Sequence, residues 1–281
     1  DELLRWIEQA HKYAEDLAPI FMPTVERPGD WRTLYDGGYL TNNIHPRPLV
    51  KTRDRKHLDD LDGLELMEPK AAINQLQRVP WRVNQEVFDV FRWCWENEVV
   101  VGGLPPASGE EIPSAPVDIK TNAESRRKWR KLAARIHFEN ESQRSKRLQI
   151  SKVLWLGSKF YNEKSLYFPW YMDFRSRMYA RPYFLNPQGA DWSRSLLTFK
   201  EGKPIETDDA EDWLAIHGAN SYGEDKQAYE GRIQWTHKNR EMIEEVARDP
   251  MGTTSLWGKA DEPWAFLAFC FEWSKFMKAG R

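Results

Sequence analysis

The sequence contains one stretch in which aromatic residues surround two arginines, Tyr167-Phe168-Pro169-Trp170-Tyr171-Met172-Asp173-Phe174-Arg175-Ser176-Arg177-Met178-Tyr179. If this stretch is extended, Arg175 and Arg177 project from the same side about 6.6 Å apart, because side chains alternate along a strand. That spacing is close to the phosphate repeat of a nucleic-acid strand, roughly 6–7 Å, so the pair could hold successive phosphates. Asp173 lies on the same side and could orient an arginine through a charge-assisted hydrogen bond. The alternative is a partly buried Asp–Arg pair that joins this strand to its neighbour, and spacing alone does not decide between the two.

The composition excludes several classes of protein. The chain has 281 residues, a formal net charge of −2, 41% hydrophobic residues and 30% charged residues, which is typical of a globular protein. No apolar run approaches the roughly 18 residues that a membrane span needs. Cys94 and Cys270 are the two cysteines, so neither a disulfide scaffold nor a four-cysteine zinc site is available. The histidines lack metal-ligand spacing, and we expect no metal site made by this chain alone.

The sequence pattern predicts mostly helices. Helical patterns cover residues 3–18, 69–97, 208–249 and 263–278, and Pro80 marks either a kink or the start of another helix. A short strand is expected near Leu49 and Val50. Residues 101–119 hold four prolines and three glycines, which indicates a linker or a long surface loop.

The helical pattern from Asn122 to Lys164 contains no proline and is strongly basic. Residues 124–147 carry nine Lys or Arg against three Glu, a local net charge of +6. Positive charge concentrated in this way is typical of a surface that binds nucleic acid. The alternative is a solvated helix face with ion pairs between residues four apart.

The stretch from Phe168 to Arg177 resembles the D-x-x-G-R segment of the single-subunit DNA-dependent RNA polymerases of phages and mitochondria. Further pieces are similar to the same family in the same order: Gly37-Gly38-Tyr39, Ala72-Ile73-Asn74, Trp81-Arg82-Val83-Asn84, Leu185-Asn186-Pro187-Gln188-Gly189-Ala190-Asp191, Leu196-Leu197-Thr198-Phe199, Gly202-Lys203-Pro204-Ile205, Ile216-His217-Gly218-Ala219-Asn220 and Phe266-Leu267-Ala268-Phe269-Cys270-Phe271-Glu272. One departure is Ser176, which stands where the family motif has Gly and puts a close backbone approach there in doubt. The ordered series identifies the chain as a member of this family.

The resemblance implies a mainly α fold with a small antiparallel β-sheet near residues 165–205. This arrangement corresponds to the thumb and the N-terminal part of the palm of a right-hand polymerase. The chain then divides into an N-terminal helical segment, 1–100, which is a remnant of the family's N-terminal domain, and a Pro-rich linker, 101–121. Thumb helices, 122–164, and the first part of the palm with partner-contacting helices, 165–281, follow.

The resemblance also implies nucleic-acid contacts. Asp173, Arg175 and Arg177 would lie beside the active centre and grip the template and the RNA–DNA hybrid, and Tyr179 could stack near them. The thumb's candidate phosphate contacts are Arg126, Lys128, Arg130, Lys131, Arg144, Lys146 and Arg147. Lys200 and Lys203 are further candidates for strand contacts, with a turn at the surface as the alternative.

The family's catalytic aspartates and fingers lie downstream of the matched pieces, so the resemblance implies no catalytic residue in this chain. We interpret the chain as the N-terminal subunit of a split polymerase, similar in extent to that of the polymerase II of N4-like phages. A partner chain would supply the rest of the palm, the fingers and most of the Mg²⁺ ligands. The aromatic residues of the last predicted helix go round its axis, which predicts an interface with that partner; they are Trp264, Phe266, Phe269, Trp273 and Phe276.

Three alternatives stay open at this point: a fragment of a one-chain polymerase, a non-catalytic nucleic-acid-binding protein that kept the scaffold, and an unrelated aromatic-rich enzyme. We expect DNA template and RNA product as partners, and an accessory factor for initiation because little sequence precedes the first family match. No membrane partner is expected. The expected location is the host cytoplasm, with virion association as an alternative.

Overall fold

The computed structural model describes residues 21–41 and 47–279. Its helices are α1 (Arg55–Asp62), α2 (Met67–Arg78), α3 (Gln85–Glu96), α4 (Ala123–Phe160), α5 (Asp191–Arg194), α6 (Asp208–Tyr222), α7 (Tyr229–Lys238), α8 (Arg240–Arg248), α9 (Thr254–Trp257) and α10 (Pro263–Ala279). The strands are β1 (Val50–Lys51), β2 (Trp81–Val83), β3 (Trp170–Asp173), β4 (Met178–Ala180) and β5 (Leu197–Phe199). The mainly α fold with little sheet is therefore confirmed, whereas the helix predicted over residues 3–18 lies outside the described residues.

The strands form two small sheets rather than one antiparallel sheet. One has the order β1-β3-β4, in which β1 runs parallel to β3 and β4 antiparallel to it. The other pairs β2 with β5 in antiparallel fashion. The prediction located β3, β4 and β5 near residues 165–205 and β1 near Leu49 and Val50. It missed β2, because a strand of three residues carries almost no periodic signal.

Helix α4 is one uninterrupted helix of 38 residues, where a pair of thumb helices was predicted over 122–164. Asn122 begins it by accepting hydrogen bonds from the backbone N–H groups of Glu124 and Ser125, at 3.0 and 3.2 Å. No proline follows to break it. Its C-terminal half packs in the main core through Ile150 and other apolar residues, whereas its N-terminal half lies outside that core.

The loop over residues 101–121 lies along the N-terminal half of α4. The indole of Trp129 donates to the carbonyl of Pro113 at 2.8 Å. The amide of Asn140 makes two hydrogen bonds with the backbone of Glu110, at 2.8 and 2.9 Å. The segment predicted as a Pro-rich linker therefore braces the helix.

Pro80 is neither a kink nor the first residue of a helix. It lies between α2 and the short strand β2, and α3 follows that strand directly. Asn84 begins α3 by accepting a hydrogen bond from the backbone N–H of Val87 at 3.4 Å. The predicted helical region 69–97 is thus two helices separated by a strand.

Helix α10 lies at the centre of the core and packs against α3, α5, α6, α8 and α9. Four of its five predicted interface residues, Trp264, Phe266, Phe269 and Trp273, are at most 2% exposed, and Phe276 is half-buried. The predicted partner interface is therefore corrected: aromatic residues all round this helix are buried by helices of the same chain.

The start of α10 is fixed by a carboxylate from another element. Asp191 accepts hydrogen bonds from the backbone N–H groups of Trp264 and Ala265, at 2.8 and 3.1 Å. The indole of Trp264 donates to the carbonyl of Gly102 at 2.8 Å. No helix among the described residues is long and apolar enough to cross a membrane.

Candidate nucleic-acid interface

Strands β3 and β4 form a hairpin whose connecting turn carries the predicted site. Asp173 closes this turn: its carboxylate accepts hydrogen bonds from the backbone N–H groups of Arg175 and Arg177, at 2.8 and 3.0 Å. Desolvation acts to raise the pKa of Asp173, but these backbone hydrogen bonds and the charge of Arg175 bring it below its usual value. The carboxylate is therefore ionised at neutral pH, and its first role is to shape the turn.

The extended geometry expected for Arg175 and Arg177 is wrong, because the two residues lie in a tight turn. Ser176 between them has φ of 62°, in the left-handed region that favours glycine. Ser176, which stands where the family motif has Gly, therefore keeps the turn but is strained in this left-handed conformation. The two arginines are presented from a hairpin tip and not from one side of a strand.

Both arginines of the turn are exposed, but their side chains differ in partners. The guanidinium of Arg175 reaches the carboxylate of Asp173 at 3.4 Å and lies 5.2 Å from the ring centre of Phe174. For the side chain of Arg177, the described residues supply neither an ion pair nor a hydrogen bond. Asp173 thus braces its own turn rather than a neighbouring strand, and Arg177 presents a free charge.

The outer face of the β1-β3-β4 sheet continues the site with aromatic and basic side chains. Tyr171 and Tyr179 are opposite each other, with ring centres 5.7 Å apart. The Nζ atom of Lys51 lies 5.5 Å from the ring centre of Tyr171, and the guanidinium carbon of Arg181 lies 4.8 Å from it. Basic groups interleaved with aromatic rings are typical of surfaces that bind single strands.

This hairpin is held in place by two glutamines that the sequence did not single out as site residues. Gln77, fully buried on α2, accepts hydrogen bonds from the backbone N–H of Trp170 at 3.1 Å and from the indole of Trp31 at 3.2 Å. Gln188 bridges the outer edge of β4, accepting from the N–H of Ala180 at 2.8 Å and donating to the carbonyl of Met178 at 3.0 Å. A polar residue inside the apolar periodicity of α2 was the available signal for Gln77.

The basic residues of α4 form a second positive region. Arg126, Lys128, Arg130, Lys131 and Arg144 are exposed, and Lys146 and Arg147 are half-buried. Lys128 pairs with Glu124 at 2.8 Å, and Arg147 donates to the carbonyl of Pro106 at 3.0 Å. Within residues 21–41 and 47–279, no ion pair engages Arg126, Arg130 or Lys131.

Among the described residues, the two positive regions are not in direct contact. No hydrogen bond, ion pair or ring contact of the described residues joins the basic half of α4 to the β3–β4 turn. Lys200 and Lys203 lie after β5 and are exposed. Lys200 lines a cleft beside the β2–β5 pair, whereas Gly202 between the two lysines has open space around it.

The described residues do not fit the Mg²⁺ ions that the resemblance implies. Nowhere in residues 21–41 and 47–279 do three His, Cys, Asp or Glu side chains come together to hold a metal. Asp173 is occupied by backbone N–H groups of its own turn.

The comparisons with known proteins agree with the resemblance. The profile of the family described as DNA-dependent RNA polymerase matches residues 203–281. T7 RNA polymerase of Escherichia phage T7 is 36% identical over 280 residues, which cover 95% of this chain and 31% of that protein. The DNA-directed RNA polymerase of Enterobacteria phage K11 is 38% identical over 264 residues, 92% of this chain and 28% of that protein.

The similarity extends to mitochondrial enzymes. The mitochondrial DNA-directed RNA polymerase 1B of Nicotiana tabacum is 31% identical over 265 residues, 92% of this chain and 26% of that protein. The chain spans less than a third of the length of these curated relatives. In sequence, and over nearly all of its length, the chain belongs to the family of phage-type single-subunit DNA-dependent RNA polymerases.

Proposed function

We propose that this chain is the part of a DNA-directed RNA polymerase that grips the DNA template and the RNA–DNA hybrid. The observation that carries the proposal is the β3–β4 turn, where Asp173 holds the backbone of Arg175 and Arg177 and leaves the guanidinium of Arg177 unpaired. An arginine fork on a braced turn suits a phosphate, because two parallel N–H donors match its oxygens. The names of the relatives support the same polymers as ligands.

In this proposal the two positive regions have different tasks. The turn and the outer face of the sheet, with Tyr171 and Tyr179, hold the strand beside the active centre as part of the palm. Helix α4 serves as the thumb and follows the hybrid through Arg126, Arg130 and Lys131, whose charges no ion pair neutralises within the described residues. Lys128 and Arg144 are each paired with a glutamate and contribute less.

Catalysis is assigned to polypeptide outside the described residues. The Mg²⁺ ligands and the fingers come, in this proposal, from a second subunit, so that this chain is inactive alone and becomes part of a nucleotidyltransferase on assembly. The relatives extend well beyond the matched segment, which favours a continuation of the same polypeptide as the second candidate. Both candidates give the described surface the same task.

The test is primer extension with purified components. We expect the 281-residue chain alone to add no nucleotide to an RNA primer annealed to a DNA template in Mg²⁺. Addition of the polypeptide encoded next to it should restore extension, and a mixture containing Arg177→Ala should extend poorly at moderate salt. Extension by the single chain, or equal extension by the Arg177→Ala mixture, would contradict the proposal.

A further inference from the structure

A cleft of about 600 Å³ lies beside the β2–β5 pair, between the residues that follow α4 and helix α10. Besides Lys275, which is paired with glutamates, three cations from distant parts of the sequence line it: Arg82, Lys164 and Lys200. Two of them, Arg82 and Lys164, were not among the candidate nucleic-acid residues. All three are exposed.

Backbone pairing brings the three cations together. Arg82 on β2 is opposite Thr198 on β5, and Lys200 follows Thr198 by two residues and so lies on the same side of the strand. Lys164 precedes Leu166, whose backbone exchanges hydrogen bonds of 2.8 and 2.7 Å with Trp81. Main-chain contacts therefore hold the backbone of these three residues at the cleft.

The acids of the cleft leave these cations unneutralised. Lys275 on α10 lies between Glu86 and Glu272 and pairs with both. In the described parts of the chain, neither an ion pair nor a side-chain hydrogen bond engages Arg82, Lys164 or Lys200. Glu163 is the one further acid among the lining residues.

The aromatic residue that lines the cleft, Tyr161, is engaged by helix α3. The rings of Trp81 and Phe199 stack on each other at 4.3 Å, and strand alternation places them on the other side of the pair from Arg82. Tyr161 donates its hydroxyl to Asp89 at 2.8 Å and packs against Phe88. Besides three glutamates, the lining residues supply cations, a threonine hydroxyl and amides, all of which can contact phosphate.

We propose that this cleft binds the phosphodiester backbone of the nucleic acid, as a third contact region beside the turn and α4. The inference rests on the proposed function, since it extends the footprint of the same polymer. It assigns Arg82 and Lys164 to phosphate contacts made without regard to sequence. It also gives Lys200 a defined place, on the wall of the cleft rather than on an isolated surface turn.

The test compares charge-matched double variants of the 281-residue chain. Arg82→Gln/Lys164→Gln removes two cations from the cleft, and Lys238→Gln/Lys278→Gln removes two exposed cations elsewhere. Binding of a fluorescein-labelled 10-base-pair RNA–DNA hybrid is measured by anisotropy at several salt concentrations. We expect the cleft variant, which loses two charged contacts, to bind at least about a hundredfold more weakly at low salt, with a salt slope lower by about two. The control should stay near wild type.

The outcomes separate this inference from the proposed function. If the cleft variant matches the control while Arg175→Ala/Arg177→Ala loses affinity and slope, the cleft inference is overturned and the proposed function stands. If neither variant loses affinity, both are overturned. Binding of a free nucleoside triphosphate by the cleft, with unchanged affinity of the cleft variant for the hybrid, would also overturn the inference.

Discussion

Gln77 offers a way to perturb the site from the interior. Its amide accepts from the indole of Trp31 and the backbone N–H of Trp170 and donates to the carbonyl of Gly29 at 3.0 Å. Gln77→Met keeps the approximate volume but leaves two buried donors without an acceptor. Because each such donor costs about 1–3 kcal/mol, we expect the free energy of unfolding to fall by about 2–6 kcal/mol. Gln77→Ala should cost about 1 kcal/mol more, because it also opens a cavity.

The assay is urea denaturation followed by far-ultraviolet circular dichroism, with Gln234→Met as the matched control at an exposed helical position. The control should change the free energy of unfolding by no more than about 0.5 kcal/mol. Since Trp170 begins β3, Gln77→Met should also weaken hybrid binding per folded molecule. A free energy of unfolding within about 0.5 kcal/mol of wild type for Gln77→Met would refute the reasoning.

Three further predictions concern packing, backbone strain and thiol reactivity. A Cβ added at Gly157 would overlap the ring of Phe88. Gly157→Ala should therefore lower the free energy of unfolding by about 1–3 kcal/mol in thermal denaturation. A neutral effect would show that the α3–α4 contact is loose. Ser176→Gly should raise the free energy of unfolding by about 0.5–1 kcal/mol, because Ser176 has φ of 62° and glycine adopts that conformation without strain. Unchanged stability would contradict the turn geometry. Burial raises the pKa of Cys94 to about 12 and that of Cys270 well above its usual value. Neither thiol should therefore react with a disulfide reagent at pH 8 until the protein is unfolded. Rapid reaction of the native protein would count against that burial.

The sequence predicted the positions of the long helices better than it predicted what packs against them. The helical period over 263–278 located α10, and the absence of proline after Asn122 located α4. The sequence did not reveal that the aromatic residues of α10 face helices of the same chain. Aromatic residues on all sides indicate burial on all sides, and periodicity does not say which chain provides the cover.

The sequence indicated which residues form the candidate site but not the conformation of the backbone that carries them. Asp173, Arg175 and Arg177 do belong to one small structural unit, but spacing suggested a strand where there is a turn. The turn depends on a left-handed Ser176, a conformation that residue preferences count against. Gln77 could be noticed as a polar residue within the apolar periodicity of α2. The backbone partners of Gln77 and Gln188 depend on the fold, so their role in holding the hairpin could not be predicted.

The salt dependence of hybrid binding by Arg177→Ala tests the central claim most directly. Because no other side chain pairs with this guanidinium in the described structure, its removal should leave the melting temperature of the free protein near wild type. The slope of log affinity against log salt should fall by about one, the value for one phosphate contact. An unchanged slope together with a lower melting temperature would mean that Arg177 braces the fold and does not hold a strand.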